Sequence, residues 1–300
     1  MKGFFYYKIW CILETKLFII GGIMKKTILT ALIALAAFGA FAFDSEAFTP
    51  TGKISSYTKT DYTVTTKFGD YFRSPAAKYV HVYDASGLEI ETSEYNAKDV
   101  LIDKIVYQYD TSRNLVSSIF YDSTNKLVWK TLMVYDATGK VKEESEFDKD
   151  NKLTGKTLYK YDGQKIDESY YNADGVLLSK TITTLNNKNK KGEVFAYLDD
   201  GTLDQHEVYT YNDNGSIAQI EVFDFDELLL EKVVYVYTNN NALSEEKMYD
   251  AKGVLGERKI YKYDAASGVN PSKITTYTVQ QKFGGTVTEM ESISEFAYKN

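Results

Sequence analysis

The side chains best placed to do chemistry in this sequence are tyrosines, and most of them come in pairs. Tyr107 and Tyr109, Tyr159 and Tyr161, Tyr209 and Tyr211, Tyr235 and Tyr237, and Tyr261 and Tyr263 all read Tyr-x-Tyr, and Tyr135 closes the related stretch "LMVYD". Tyrosine offers an apolar face and a hydroxyl, so exposed rows of it make platforms for sugars or protein partners. The same rows set between strands are packing and need no ligand. Both readings stand at this point.

The remaining candidates are weaker. His81 and His206 have no companions at metal-ligand spacing, and His206, within "LDQHEVY", reads as a surface strand residue. "FDKDNKL" at 147–153, "YLDDGTL" at 197–203 and "YNDNGSI" at 211–217 supply oxygen ligands of the kind calcium takes. None completes the spaced acids, glycine and distant glutamate of a calcium loop, and turn chemistry accounts for each acid. Strand carboxylates are numerous enough for a glycosidase pair, but nothing singles out two of them. There is no nucleophile elbow, phosphate loop or zinc motif. The expectation is a non-enzymatic chain with no catalytic residue, no metal and no cofactor, whose tyrosines carry any binding.

What must position the tyrosines is a repeat. Taking the aromatic before each "D" or "N" as an anchor gives Tyr83, Tyr95, Tyr109, Tyr121, Tyr135, Phe147, Tyr161 and Tyr171, then Tyr197, Tyr211, Phe223, Tyr237, Tyr249 and Tyr263, with Leu185 in the gap. The spacings alternate 12 and 14, with one stumble of 10 between Tyr161 and Tyr171, so the unit is 26 residues. After twelve anchors with unaltered turn length the next residue is Asp seven times and Asn three times. The residue four on is Gly six times and Asn three, and the residue six on is Leu, Ile or Val in eleven. Asp or Asn opens a type I turn by capping nearby N–H groups, and Gly or Asn accepts the left-handed conformation that closes a hairpin.

The fold expected is therefore all-β: an antiparallel meander of about sixteen strands. In a strand such as 229–237, Leu229, Val233, Tyr235 and Tyr237 should share one face. Glu143, Lys156, Glu231 and Glu257 at strand centres imply a sheet solvated on at least one face. The 12/14 alternation implies a stagger that makes a coiled single sheet or a barrel-like shell. "YTVTTKFG" at 62–69 echoes "YTVQQKFG" at 277–284, which reads as a pair of capping repeats or, alternatively, as segments that pair and close the sheet. "LNNKNKKGEVF" at 185–195 reads as a protruding loop.

Repeated "YDxxGxL" with "YxYD" strands over residues 80–268 resembles the YD repeats of Rhs-type proteins and, less closely, variant MORN repeats. The resemblance implies a secreted or surface β-shell, sometimes linked to carbohydrate binding. The family's shells often enclose a toxin, but here the unit is a strict 26-residue hairpin and no effector domain is expected after the repeats.

The ends complete the organisation. From Met24, "MKKTILTALIALAAFGAFAF" has the basic start, short apolar run and A-x-A site of a signal peptide, expected as an N-terminal signal helix over 24–42. Residues 1–23 then read as a leader mis-assigned upstream of a start at Met24. Capping strands are expected at 43–80 and 269–300, with hairpin repeats over 81–268. The only cysteine, Cys11, lies in that leader, so no disulfide or thiol chemistry is expected beyond it. Removing the five lysines and one glutamate of residues 1–42 from 35 basic and 42 acidic side chains leaves 30 and 41, net −11. That balance disfavours nucleic acid and anionic membranes. The partners expected are a glycan or an envelope or surface protein. The chain should be exported to the periplasm, outer surface or medium, with no stable membrane span after cleavage.

Overall fold

The hairpin turns are built as the repeat predicts. In the computed structural model, which describes residues 48–265, 268–282 and 284–300, Asp84 Oδ1 accepts the backbone N–H of Ser86 at 2.8 Å and of Leu88 at 2.9 Å. Asp110, Asp122, Asp136, Asp148, Asn172, Asp224 and Asp250 bind the residues two and four ahead in the same way. The residue four beyond each of the twelve regular anchors has a positive φ, at glycines such as Gly139 (79°) and at Asn125 and Asn151.

Asp99 (60°), Arg113 (67°) and Glu227 (59°) occupy the same position without being glycine or asparagine. A left-handed residue with a Cβ costs roughly 1–2 kcal/mol. Each of the three side chains offsets this with a contact to a nearby strand or turn. Arg113 donates to the Ser86 carbonyl at 2.7 Å, Glu227 meets His206 Nδ1 at 2.9 Å, and Asp99 pairs with Lys78 at 2.5 Å.

The turn carboxylates of Asp84, Asp110, Asp122, Asp136 and Asp200 are held below the ordinary range by these hydrogen bonds. Their contribution to stability is present above the unfolded value near 3.8 and is lost as pH falls through the depressed values. Asp136→Ala, which orphans the N–H groups of Thr138 and Lys140, should lower the midpoint of urea denaturation, and Asp136→Asn should lower it much less.

Two irregular turns differ from expectation. Residues 185–195 do not protrude. Asn186 Oδ1 caps Lys188 and Lys190, and Asn189 takes φ 55°, so asparagines do the work of Asp and Gly in a turn of ordinary length. The 10-residue stumble is a two-residue turn in which Asp162 pairs with Lys165 and Gly163 supplies the positive φ of a primed hairpin.

The strands are β1 (Ser56–Lys67), β2 (Asp70–Tyr83), β3 (Glu89–Asn96), β4 (Leu101–Tyr109), β5 (Leu115–Asp122), β6 (Leu127–Tyr135), β7 (Val141–Asp148), β8 (Leu153–Asp162) and β9 (Lys165–Asn172). They continue as β10 (Leu177–Leu185), β11 (Lys191–Leu198), β12 (Leu203–Tyr211), β13 (Ile217–Asp224), β14 (Leu229–Tyr237), β15 (Leu243–Asp250), β16 (Leu255–Lys262), β17 (Lys273–Lys282) and β18 (Gly285–Lys299). Every strand pairs antiparallel with the next in sequence. β18 also pairs with β1, from Ser56 with Lys299 to Thr63 with Ser292. The meander is therefore a closed barrel of eighteen strands, two more than the repeat count implies. The terminal hairpins β1–β2 and β17–β18 are full members of the ring and not lids over its ends. The echoed segments 62–69 and 277–284 do not pair with each other. Each climbs its own hairpin, and β18 lies between them. The signal helix expected over 24–42 lies outside the described residues.

The bulge at each turn corrects one expectation. Val222 pairs with Glu231 and Phe223 with Leu229, so one residue of β14 is extra. Leu229 consequently sits on the face of Phe223, opposite to Glu231, Val233, Tyr235 and Tyr237. The aliphatic residue after each turn faces the anchor before that turn, not the anchor ending its own strand.

Candidate functional site

Register divides the side chains into two sets. Following paired residues from Tyr57 gives His81, Thr92, Ile105, Phe120 and Trp129 on one face. That face holds most of the buried positions, including Tyr57, His81, Thr92, Thr131, Glu144, Glu168, Gln205 and Val222. It is the inner face, since the inside of a closed barrel is the side shielded from water.

All the tyrosines picked out by sequence lie on this face: Tyr107, Tyr109, Tyr135, Tyr159, Tyr161, Tyr209, Tyr211, Tyr235, Tyr237, Tyr261 and Tyr263. Their hydroxyls divide by position. Six of the anchors that end long strands donate to a backbone carbonyl twenty residues earlier. These bonds are Tyr109 to Glu89 (2.8 Å), Tyr135 to Leu115 (2.7 Å), Tyr161 to Val141 (2.9 Å), Tyr211 to Lys191 (2.8 Å), Tyr237 to Ile217 (2.9 Å) and Tyr263 to Leu243 (2.8 Å). These anchors stitch each strand to its neighbour. The tyrosine two residues earlier points instead at carboxylates: Tyr159 to Glu144 at 3.2 Å, Tyr209 to Glu207 at 2.6 Å and Tyr261 to Glu246 at 2.5 Å.

Sequence reasoning did not assign those carboxylates to a site. Glu89, Glu94, Asp103, Glu144, Glu146, Glu168, Glu207, Glu231, Glu246 and Glu257 share the inner face with the tyrosines. Against them stand Lys59, Lys191 and Lys259. The detectable signal was parity: each of these acids has the same alternation as an inward tyrosine once the bulge is counted.

Burial pushes the Asp103 carboxyl up to about 6. Burial, with the Glu257 charge, pushes Glu231 up to about 7. Glu207 is also raised, chiefly by burial. Burial raises the hydroxyls of Tyr107, Tyr159, Tyr209 and Tyr235 as well, with neighbouring glutamates adding to it. A carboxyl raised on folding leaves stability intact below its unfolded value and weakens it as pH rises from there to the folded one. Glu231 therefore destabilises the ring progressively from about pH 4.5 to 7. Glu231→Gln should raise the melting temperature at pH 8 and leave it nearly unchanged at pH 4. The gain is about 1–2 kcal/mol once solvent screening of this half-buried group is allowed for.

Inner-face residues whose buried polar atoms find no hydrogen-bond partner include Gln205, 2% exposed, at both amide atoms, Thr131 at Oγ1, Asp103 at Oδ1 and Glu231 at Oε1.

The outer face carries a different pattern. Five residues before each long-strand anchor stands a cation or histidine: Lys78, Lys104, Lys130, Lys156, Lys180, His206, Lys232 and Arg258. Lys78, Lys104, Lys130 and Lys232 sit 4.6–5.9 Å from the rings of Tyr95, Tyr121, Phe147 and Tyr249. His206 takes the same place, stacked on Phe195 at 4.1 Å and tilted against Phe223 at 5.7 Å. Lys180 pairs with Asp167 at 2.6 Å, Lys104 with Glu91 at 3.8 Å, and Arg258 with Glu245. His81, in contrast, is an inner-face residue, fully buried, with Nδ1 2.6 Å from Glu89 and its ring stacked on Tyr57. In the acid-rich turns at 147–153, 197–203 and 211–217, Asp148, Asp200 and Asn214 spend an oxygen on backbone N–H groups.

No protein-family model and no curated protein matches this chain. Among solved structures it is similar to a porin-like protein from Bacteroides uniformis, at 9% identity and TM-score 0.47, covering 83% of this chain and 99% of that one. It is also similar to a TcdB2-TccC3 structure lacking its hypervariable C-terminal region, at 13% identity and TM-score 0.26, covering 77% of this chain and 16% of that one. A third likeness, to TarM, has 16% identity and TM-score 0.18 and covers 33% of this chain and 20% of that one. At these identities and scores the likenesses carry no argument about function.

Proposed function

We propose that this chain is an exported, non-enzymatic repeat protein of the cell envelope or surface, acting as a binding module or scaffold for a glycan or protein through the tyrosine-lined inner face of its ring. The observation that carries this reading is the division among the tyrosines. The anchors are spent on backbone carbonyls, while the tyrosines before them form, with carboxylates, a polar wall that the stitching of the ring does not require. The signal-like segment at 24–42 supports export, and the resemblance to YD repeats supports a surface or secreted setting.

The outer face supports work in water and not in lipid. Lysine or arginine on a lipid-facing strand costs roughly 2–4 kcal/mol at mid-bilayer, and here such a residue recurs on the outside of nearly every long strand. Among the described residues no helix is long and apolar enough to cross a membrane. Glu231, raised to about 7 beside Glu257, is the one observation favouring a secreted carbohydrate-active enzyme instead, since a neutral carboxyl can serve as a general acid.

The test combines cell fractionation with glycan-array and protein pull-down assays on two series. Tyr159→Ala, Tyr209→Ala and Tyr261→Ala should reduce capture while the fold survives. Tyr135→Phe, Tyr211→Phe and Tyr237→Phe should lower stability by about 1 kcal/mol each and leave capture unchanged. Capture that is indifferent to the first series, or a cytoplasmic location, sinks the reading. Sugar hydrolysis abolished by Glu231→Gln establishes the enzyme.

A further inference from the structure

We infer that the projecting end of the β1–β2 ribbon is a docking prong for the surface of a phospholipid bilayer, seated through Phe68, Tyr71 and Phe72. The inference goes beyond the inner-face reading and does not depend on it.

The ribbon stands clear of the ring. β1 pairs with β18 only as far as Thr63, and β2 meets β3 only from Ala77 onward. The four rungs from Val64–Arg73 to Lys67–Asp70 therefore pair with each other alone. They reach roughly 13 Å past the last rung shared with β18. At the tip, Phe68 and Gly69 form a two-residue turn with φ of 55° and 88°. Two successive left-handed residues make the primed turn in which Asn-Gly is the preferred pair. Phenylalanine in that first position is a conformational penalty. At Asp99, Arg113 and Glu227 a side-chain contact offsets the same penalty. Phe68 has no such offset within the chain, because its side chain is fully exposed. Backbone strain of this kind gathers at ligand clamps and other working positions.

The neighbouring residues define what the tip can touch. Thr65 pairs with Phe72 and Thr66 with Tyr71, so these two rings belong to opposite faces of the ribbon. Each is more than half exposed, and Phe68 lies beyond both at the turn. A protein partner lying on one face would leave the other rings in water. A medium that surrounds the tip covers all of them, as the headgroup boundary of a bilayer does, and aromatic rings favour that depth.

Charge limits which bilayer fits. The projecting rungs carry Lys67 and Arg73 against Asp70 alone. Arg73 is steadied over the Tyr62 ring at 4.7 Å and against Glu295 at 2.5 Å. The short turns at the same end of the ring are acidic, with Asp122, Asp148, Asp150, Asp199 and Asp200. Interfacial insertion of roughly 5–10 Å is shallower than the ribbon's reach, so those acids and the lysines of the outer wall stay in water. With a net charge of −7 the chain is repelled by anionic lipid, and a zwitterionic surface is the one that fits.

Tryptophan reporters in the full chain test the inference. In Phe68→Trp, adding phosphatidylcholine vesicles should shift the emission, taken as the difference from the parent, to the blue. Lipids brominated near the headgroup end of their acyl chains should quench it. Val269→Trp, at an exposed position between β16 and β17 on the opposite end of the ring, should show neither effect. This second reporter separates docking of the tip from adsorption through any other segment. Adding Phe72→Ser to Phe68→Trp should raise the vesicle concentration needed for half the shift about tenfold. High salt should leave the shift in place. Phe68→Asn should melt no lower than the parent, since asparagine accepts the left-handed turn and the exposed ring has no contact to lose. No shift at position 68, or an equal shift at position 269, overturns the inference. A shift abolished by high salt marks charge alone and also overturns it. So does a shift that grows with protein concentration before any vesicle is added, which marks contact between copies. A clear drop in melting temperature in Phe68→Asn would give the ring an internal role and sink the argument from strain.

Discussion

Tyr57→Ala is expected to destabilise the protein by about 3–5 kcal/mol and to lower its melting temperature by roughly 10 °C or more. Tyr57 is fully buried, its ring lies 4.2 Å from that of His81 at an angle of 13°, and Tyr83, Phe296 and Tyr298 surround it at 5.9–6.3 Å. These rings come from β1, β2 and β18, the strands that join the two ends of the chain. Removing the central ring therefore leaves a cavity at the seam that makes the meander a barrel. Tyr57→Phe keeps the stacking and should cost much less. Calorimetry that finds the alanine variant melting with the parent would show that closure does not depend on this cluster.

Gly155→Val is expected to cost about 2–3 kcal/mol, although valine ordinarily favours strands. Gly155 lies in β8 with no unusual backbone requirement, and its register partners are Glu146 and Asn172. A Cβ there would stand 2.6 Å from the hydroxyl oxygen and 2.8 Å from Cε2 of Tyr170, whose ring lies over the glycine and whose hydroxyl donates to Glu146 at 3.2 Å. The added methyls must push that ring aside and break its hydrogen bond. The pair Gly155→Val with Tyr170→Ala should recover part of the loss. If the double variant is no better than the single one, the cost lies elsewhere in the strand.

The repeat made the architecture readable because each hairpin is specified locally. An acid or asparagine after the anchor, and glycine or asparagine three residues further on, decide the turn with no help from the rest of the fold. Local rules failed where a long-range contact outweighed them. Arg113 and Glu227 hold left-handed positions by reaching other elements, and no pattern within their own hairpins announces that. Closure was open for a related reason. The pairing of Ser56 with Lys299 depends on the whole ring, while the echo of 62–69 in 277–284 reports two similar hairpins and not a contact. The tyrosines were found and their role was only half read. Periodicity put Tyr209 and Tyr211 on one face, but only coordinates separate a hydroxyl spent on the Lys191 carbonyl from one shared with Glu207. The inner carboxylates escaped because one bulge residue per turn breaks simple alternation, so that Leu229 and Glu231, two apart, face opposite ways.

The union of first and last strands also sets the order of events during synthesis. Because β1 must meet β18, the nascent chain cannot close its ring until β18 has emerged. Until then a growing meander carries two unsatisfied edges, the state in which sheets recruit one another into aggregates. Pairing partners 244 residues apart in sequence makes the final step slow. A chain built this way gains from being kept extended until β18 is available to pair. Once the last strand docks, no edge is left to recruit.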